Sequence, residues 1–172
     1  MPRLFLAIDI PAQPWMQELQ VQIRQQAVKP VDHFHITLKF LGDVEQHAIQ
    51  ELQTRLKRIT HQPFMITTSR KLGAFPNRRR PSVLWVGVAS KQLVRLQQKI
   101  DSLLADVFAV ERNYVPHITI ARARNEEGKK VLKEKMEHPV PSMTHRVTSF
   151  KLYQSELTPQ GPIHTIRKRY KL

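Results

Sequence analysis

One short segment occurs twice in this chain of 172 residues. HITLKF stands at residues 35–40 and HITIAR at residues 117–122, about half the chain apart. Each copy follows a polar stretch and precedes a segment with helical periodicity. The simplest architecture that explains the repeat is a single domain, residues 1–172, made of two similar lobes that each carry one H-x-T-x motif, at 35–38 and 117–120.

Apolar residues recur with strand or helix spacing along the whole chain, and the two kinds of segment alternate. The predicted strands are residues 4–10, 33–41, 64–72, 83–88, 117–122, 145–153 and 164–170, with a Pro- and Arg-rich loop at 74–82. The predicted helices are one from Trp15 toward Pro30, one opened by a capping box of Asp43 and Gln46, one over 93–107 and one over 126–137. This order fits both α/β and α+β architectures.

The repeated motif places its polar residues on one face of a strand. Residues i and i+2 of a strand point to the same side, so His35 and Thr37 share a face while Ile36 points into a core. His117 and Thr119 repeat this arrangement in the second copy. If the two lobes face each other, two imidazoles and two hydroxyls converge on one cleft.

These four side chains suit the hydrolysis of a phosphodiester. One neutral imidazole can take a proton from water, and one imidazolium can give a proton to the leaving ribose oxygen. Threonine hydroxyls can donate hydrogen bonds to the non-bridging oxygens, where negative charge builds up. A single histidine on a strand is more often structural, but two copies half a chain apart favour a catalytic pair.

Charge and composition restrict the partners. The chain has 28 Lys+Arg against 14 Asp+Glu, a formal net charge of +14, which indicates an anionic partner. RNA, DNA, an acidic membrane face and an acidic protein all meet that condition.

With no cysteine, the chain has no disulfide, no thiolate nucleophile and no cysteine-ligated zinc. Asp9 interrupts the apolar N-terminal run, so we expect a cytoplasmic protein without a membrane anchor.

Longer segments resemble a known family. HFHITLKFLGDV, LGAFPNRRRPSVLWVGV, YVPHITIAR and LYQSELTPQGPIHTI occur in this order over nearly the whole chain. In these segments the chain resembles the bacterial and archaeal RNA 2′,3′-cyclic phosphodiesterases of the 2H phosphoesterase superfamily, once called 2′-5′ RNA ligases. The resemblance implies a bilobal, pseudo-symmetric α+β fold, in which two antiparallel sheets line a central groove and helices lie outside.

The resemblance also implies an activity, which is hydrolysis of RNA 2′,3′-cyclic phosphate ends to 2′-phosphates without a cofactor or a metal ion. His35 matches the family's general acid and His117 its general base, although the sequence alone does not order the two. Thr37, Thr119 and Arg122 match phosphate-binding positions. The expected substrate is RNA with a cyclic phosphate end, or a cyclic nucleotide, and we expect the chain to act as a monomer.

Two positions depart from the family's pattern. His33 stands where the family often has Asn, and His164 where an aromatic residue is often found. His33 and His35 have a spacing that can chelate a metal, but no Asp, Glu or Cys nearby completes a ligand set. We therefore expect His33 to be a polar neighbour of the groove and predict no metal site.

Other residues are candidates for binding RNA beyond the cyclic phosphate. Arg78, Arg79 and Arg80 either clamp RNA phosphates or form a solvated basic loop. Phe75, in the same Pro-rich loop, is a candidate for stacking a base. Two further functions stay open, which are 2′-5′ RNA ligation at the same site and non-catalytic binding of RNA ends. Intact His and Thr in both motifs argue against binding alone.

Overall fold

The computed structural model describes residues 1–172 and contains nine strands and four helices. The strands are β1 (Arg3–Asp9), β2 (Val28–Pro30), β3 (His35–Asp43), β4 (Phe64–Phe75), β5 (Val83–Ala89), β6 (His117–Ala123), β7 (Thr144–Val147), β8 (Ser149–Thr158) and β9 (Gly161–Lys171). The helices are α1 (Pro14–Ile23), α2 (Ala48–Leu56), α3 (Lys91–Leu104) and α4 (Glu126–Lys135). No helix has both the length and the apolar character needed to cross a membrane.

All strands belong to one sheet, in the order β7-β4-β5-β6-β3-β1-β8-β9, with β2 paired to β6 outside this path. Every strand pair is antiparallel. The predicted α+β class is therefore confirmed. The two expected sheets are continuous with each other, because β3 and β6 meet through the pair of Ile36 and Ile118.

The sheet is strongly curled. β7 lies at one edge of the strand order, whereas β8 lies near the other edge. Thr148 is the single residue between these two strands, and its carbonyl oxygen accepts a hydrogen bond from the Leu172 amide, at 2.9 Å. One residue cannot span an open sheet of this width, so the two edges must approach each other. The single strand predicted at 145–153 is thus two strands with different neighbours.

The core lies between the sheet and the helices. One continuous cluster of buried side chains joins Leu4, Leu6 and Ile8 of β1 to the inner faces of the four helices. β1 is apolar almost throughout because both of its faces are buried. Phe5 and Ala7 on its other face form a second buried cluster with Tyr153 of β8. α1 and α4 pack on β6, α3 packs on β3 and β4, and α2 packs on α3.

Two predicted helices begin or end elsewhere. α1 begins at Pro14, whose fixed φ suits a first helical turn, but it ends at Ile23 instead of near Pro30. The residues that follow form β2, which pairs with Ala121–Ala123 of β6. α2 begins at Ala48 without a side-chain cap, so the predicted capping box at Asp43 is wrong. Asp43 instead ends β3, where it pairs with Arg3 in the sheet.

Candidate active site

A groove of about 1080 Å³ runs along the sheet where β3 and β6 meet. The histidine and threonine of both motifs line it. Because Ile36 pairs with Ile118, the antiparallel register sets Thr37 opposite His117 and His35 opposite Thr119. The structure therefore brings the two repeated motifs into one site.

Each motif histidine is fixed by the same local contact. His35 Nδ1 lies 3.1 Å from the His33 carbonyl oxygen, and His117 Nδ1 lies 2.7 Å from the Val115 carbonyl oxygen. In both cases Nδ1–H donates to the backbone two residues earlier, which leaves Nε2 as the free nitrogen. In a neutral ring, Nε2 is therefore a hydrogen-bond acceptor. In a protonated ring, Nε2–H is a hydrogen-bond donor.

Arg122 reaches the groove through a β-bulge. Strict alternation from Thr119 would point Arg122 to the opposite face of the sheet. On β5, however, Trp85 pairs with Thr119 and Leu84 with Ala121, so Ile120 is an extra residue in β6. One extra residue inverts the alternation beyond it, and Arg122 lines the groove.

β3 carries the equivalent bulge, which places Phe40 in the groove, although its strand neighbours favoured a place in the core. On β1, Ala7 pairs with Thr37 and Leu6 with Lys39, so Leu38 is the extra residue. Beyond it Lys39 turns inward and is buried, while Phe40 lines the groove with 74% of its surface exposed. The signal was present in the repeat, since Phe40 occupies the position that Arg122 holds in the second copy.

Burial sets the protonation state of both histidines. Burial and the charge of His33 lower the pKa of His35 to about 4, against the opposing effects of its backbone hydrogen bond and of Asp9. Burial is also the main cause that lowers the pKa of His117, where Arg122 adds to the effect. Near neutral pH both imidazoles are therefore uncharged in the free protein.

A carboxylate stands behind His35. Asp9 accepts a hydrogen bond from His33 Nε2 at 3.1 Å and further hydrogen bonds from Lys151 and the Tyr153 hydroxyl. Burial raises the pKa of Asp9, but these three hydrogen bonds outweigh it and hold that pKa well below its usual range. Asp9 is therefore a fixed negative charge beside His35.

Aromatic rings surround both histidines. The His35 ring lies 5.5 Å from the Phe5 ring and 5.6 Å from the His164 ring, measured between centroids. Phe75, the predicted base-stacking residue, is half-buried and contacts the site directly, because its ring meets the His117 ring edge-on at 4.9 Å.

The three predicted RNA-binding arginines do not line this groove. They are exposed in the loop after β4, where Arg78 pairs with Glu137 at 2.8 Å and Arg80 with Glu126 at 3.2 Å. Arg79 has no carboxylate within salt-bridge distance. The structure therefore separates these arginines from the paired motifs, and their part in binding RNA stays a prediction.

Comparison with known proteins agrees with this architecture. A family model described as the 2′-5′ RNA ligase superfamily matches residues 8–159. The RNA 2′,3′-cyclic phosphodiesterase of Methanocaldococcus jannaschii is 37% identical, and the alignment covers 98% of this chain and 99% of the relative. The homologous enzyme of Archaeoglobus fulgidus is 34% identical, with 94% and 96% covered.

Solved structures have the same fold. The crystal structure of Escherichia coli LigT complexed with 3′-AMP superposes with a TM-score of 0.77 at 28% identity, covering 99% of this chain and 98% of LigT. The chain belongs to the 2′-5′ RNA ligase superfamily, as its motifs predicted.

Proposed function

We propose that this chain is an RNA 2′,3′-cyclic phosphodiesterase, which hydrolyses cyclic phosphate ends to 2′-phosphates with His35 and His117 as a proton-transferring pair. The observation that carries the proposal is the pairing of β3 with β6, which sets both H-x-T motifs across one groove. Relatives that match nearly the whole chain bear this activity in their names.

We assign the general base to His117 and the general acid to His35, which is the order that the resemblance to the family implies. The Arg122 charge disfavours the imidazolium form of His117. Burial and the charges of His33 and His164 lower the pKa of His35 to about 4, and the Asp9 carboxylate opposes them. In the free protein burial keeps His35 neutral, and the negative charge of a bound phosphate would raise its pKa and allow it to bind the proton.

The chemical step follows from these roles. His117 Nε2 takes a proton from water, and the water oxygen forms a bond to phosphorus. The bond from phosphorus to the ribose 3′ oxygen breaks, and His35 Nε2–H gives its proton to that oxygen. Thr37, Thr119 and the Arg122 guanidinium donate to the phosphate oxygens as charge accumulates there. Proton transfer by each histidine contributes about 10²- to 10⁴-fold to the rate.

Three further points belong to the proposal. Phe40 offers an exposed aromatic face in the groove on which a base of the substrate can stack. The equivalent bulges of β3 and β6 and the equivalent backbone contacts of the two histidines support a single domain of two similar lobes. We also infer that the RNA substrate binds a single copy of the chain, because both motifs of the groove come from one chain.

The test is incubation with 2′,3′-cyclic AMP in excess EDTA, followed by chromatographic identification of the product. We expect 2′-AMP from the wild type and a loss of about 10²- to 10⁴-fold in turnover for His35→Ala or His117→Ala. The matched control is His47→Ala, which removes a histidine that is exposed and does not line the groove.

The double variant His35→Ala/His117→Ala tests whether the two residues act as a pair. Its loss should be far smaller than the product of the two single losses, because an acid without its base contributes little. Fully multiplicative losses, a 3′-phosphate product, or activity that requires a divalent metal would contradict the mechanism. Joined 2′-5′ linkages from RNA with cyclic phosphate and 5′-hydroxyl ends would instead favour the ligase function.

A further inference from the structure

Three histidines meet at one end of the groove. His33 precedes β3, His35 begins it, and His164 lies on β9, three places away from β3 in the sheet. One ring nitrogen of each residue lies within 4.8 Å of the other two. The rings of His33 and His35 are stacked at 5.0 Å, and the His164 ring stands nearly perpendicular to His35, at 79°.

Existing hydrogen bonds already orient two of these rings. His33 uses Nε2 to contact Asp9, which leaves Nδ1 free, and His35 uses Nδ1 to contact a backbone carbonyl, which leaves Nε2 free. A carboxylate behind a histidine fixes the ring and raises its basicity as a ligand, as is typical of histidines that bind zinc. Asp9 is held in turn by Lys151 and Tyr153.

We propose that His33, His35 and His164 bind one divalent transition-metal ion, with Zn²⁺ as the best-suited ion, and that this ion inhibits the enzyme. The metal site rests on geometry alone. The inhibition rests on the proposed function, because the ion occupies His35 Nε2, the atom that gives its proton to the leaving oxygen.

The ligand set favours zinc over the common hard cations. Imidazole nitrogens suit Zn²⁺, Cu²⁺ and Ni²⁺, whereas Mg²⁺ and Ca²⁺ prefer oxygen ligands. Three ligands leave a fourth position open toward the groove, where water or a phosphate oxygen can bind.

Only a small rearrangement is needed to close the site. Nitrogens bound to one tetrahedral Zn²⁺ at about 2.0–2.1 Å lie roughly 3.4 Å apart. The present separation of up to 4.8 Å must therefore shrink by up to about 1.4 Å, which rotations of half-exposed side chains can provide. His117, Thr119 and Arg122 lie on β6 and stay unchanged.

The experiment measures metal binding before activity. The purified chain of 172 residues is stripped with EDTA, exchanged into chelator-free buffer, and titrated with Zn²⁺ by calorimetry and with Co²⁺ by visible absorption. We expect one ion per chain and the ligand-field bands of four-coordinate Co²⁺. Loss of a residue that only supports a metal ligand weakens metal binding by about 10- to 100-fold. His33→Asn and His164→Phe each remove a ligand, so each should weaken binding by at least that factor. The matched control, His138→Asn, removes an exposed histidine that lies just beyond the end of α4 and should bind like the wild type.

The second measurement compares the turnover of each variant in Zn²⁺ with its own turnover in EDTA. We expect Zn²⁺ to lower turnover at least tenfold in the wild type and in His138→Asn, and to have little effect in His33→Asn and His164→Phe. The absence of one-to-one binding, binding that survives both substitutions, or activation by Zn²⁺ would overturn the proposal. A wild type that binds Zn²⁺ but hydrolyses no cyclic phosphate in EDTA would refute the proposed function and leave the metal site standing.

Discussion

A buried ion pair between Lys39 and Asp101 supports the bulge that shapes the groove. The two residues are only 6% and 4% exposed. The Lys39 ammonium donates to the Asp101 carboxylate and, at 2.6 Å, to the Ala109 carbonyl oxygen. Asp101 also accepts from the Gln97 side chain at 2.8 Å and from the Glu111 amide at 2.9 Å. The pair joins β3 to α3 immediately beside Phe40.

Replacing Asp101 by Asn removes one charge and leaves the Lys39 ammonium buried without its counter-ion. Loss of one partner of a buried pair costs about 3–5 kcal/mol, which is a large part of the 5–15 kcal/mol that holds a typical domain together. Lys39→Met should cost less, because Asp101 keeps two hydrogen bonds. The double variant should be more stable than Asp101→Asn, since it contains no unpaired buried charge.

Urea denaturation of the four proteins at pH 7 measures the free energies of unfolding and their coupling. The stability losses of the two single variants are added and compared with the loss of the double variant. Agreement within about 0.5 kcal/mol would refute the ion-pair argument, because only residues that do not interact are additive to that accuracy. A double variant less stable than Asp101→Asn would refute it as well.

Acid pH provides an independent check on the same pair. Burial raises the pKa of Asp101, but the hydrogen bonds from Lys39, Gln97 and Glu111 outweigh it and lower that pKa in the folded protein. A carboxyl with a lowered folded pKa stabilises the fold above its unfolded pKa of about 3.9, and this stabilisation is lost as the pH falls through the folded value. The stability curves of wild type and Asp101→Asn should therefore converge below about pH 4. A constant difference down to pH 2 would show that ionisation of Asp101 is irrelevant.

Three further predictions concern single residues. Phe40→Ala should change the free energy of unfolding by less than about 0.5 kcal/mol, because the ring is exposed. The same substitution should raise KM for 2′,3′-cyclic AMP, because the base loses its stacking partner. A KM increase of equal size for a ribose cyclic phosphate without a base would contradict stacking. Gly128→Ala should lower the Tm sharply, because the new Cβ would lie 2.1 Å from the Ala27 carbonyl oxygen, whereas Lys130→Ala on the same helix should leave the Tm nearly unchanged. Arg79→Ala should weaken binding of single-stranded RNA and reduce the magnitude of the salt slope by about 0.7, and an unchanged slope would place Arg79 outside the RNA path.

Much of the site was visible in local sequence. The pattern of the two motifs predicted the strands β3 and β6, the shared face of His35 and Thr37, and the family that the comparisons confirm. These features depend on the alternation of side chains along a few consecutive residues. That alternation is a local property and does not depend on which strands lie next to the motif. The same local reasoning failed at Asp43, where pairing with Arg3 in the sheet replaced the expected helix cap.

The sequence by itself determined the chemistry that the groove can offer, because the identity and spacing of the motif residues are local properties. Tertiary structure decided which neighbours join them. A bulge forms only where one of two paired strands contains one more residue than its partner. The positions of Phe40 and Arg122 in the groove therefore depend on how β3 pairs with β1 and β6 with β5. His164 reaches His35 only because β8 and β9 continue the sheet beyond β1. Contacts between residues so distant in the chain arise from strand order, which no local pattern encodes.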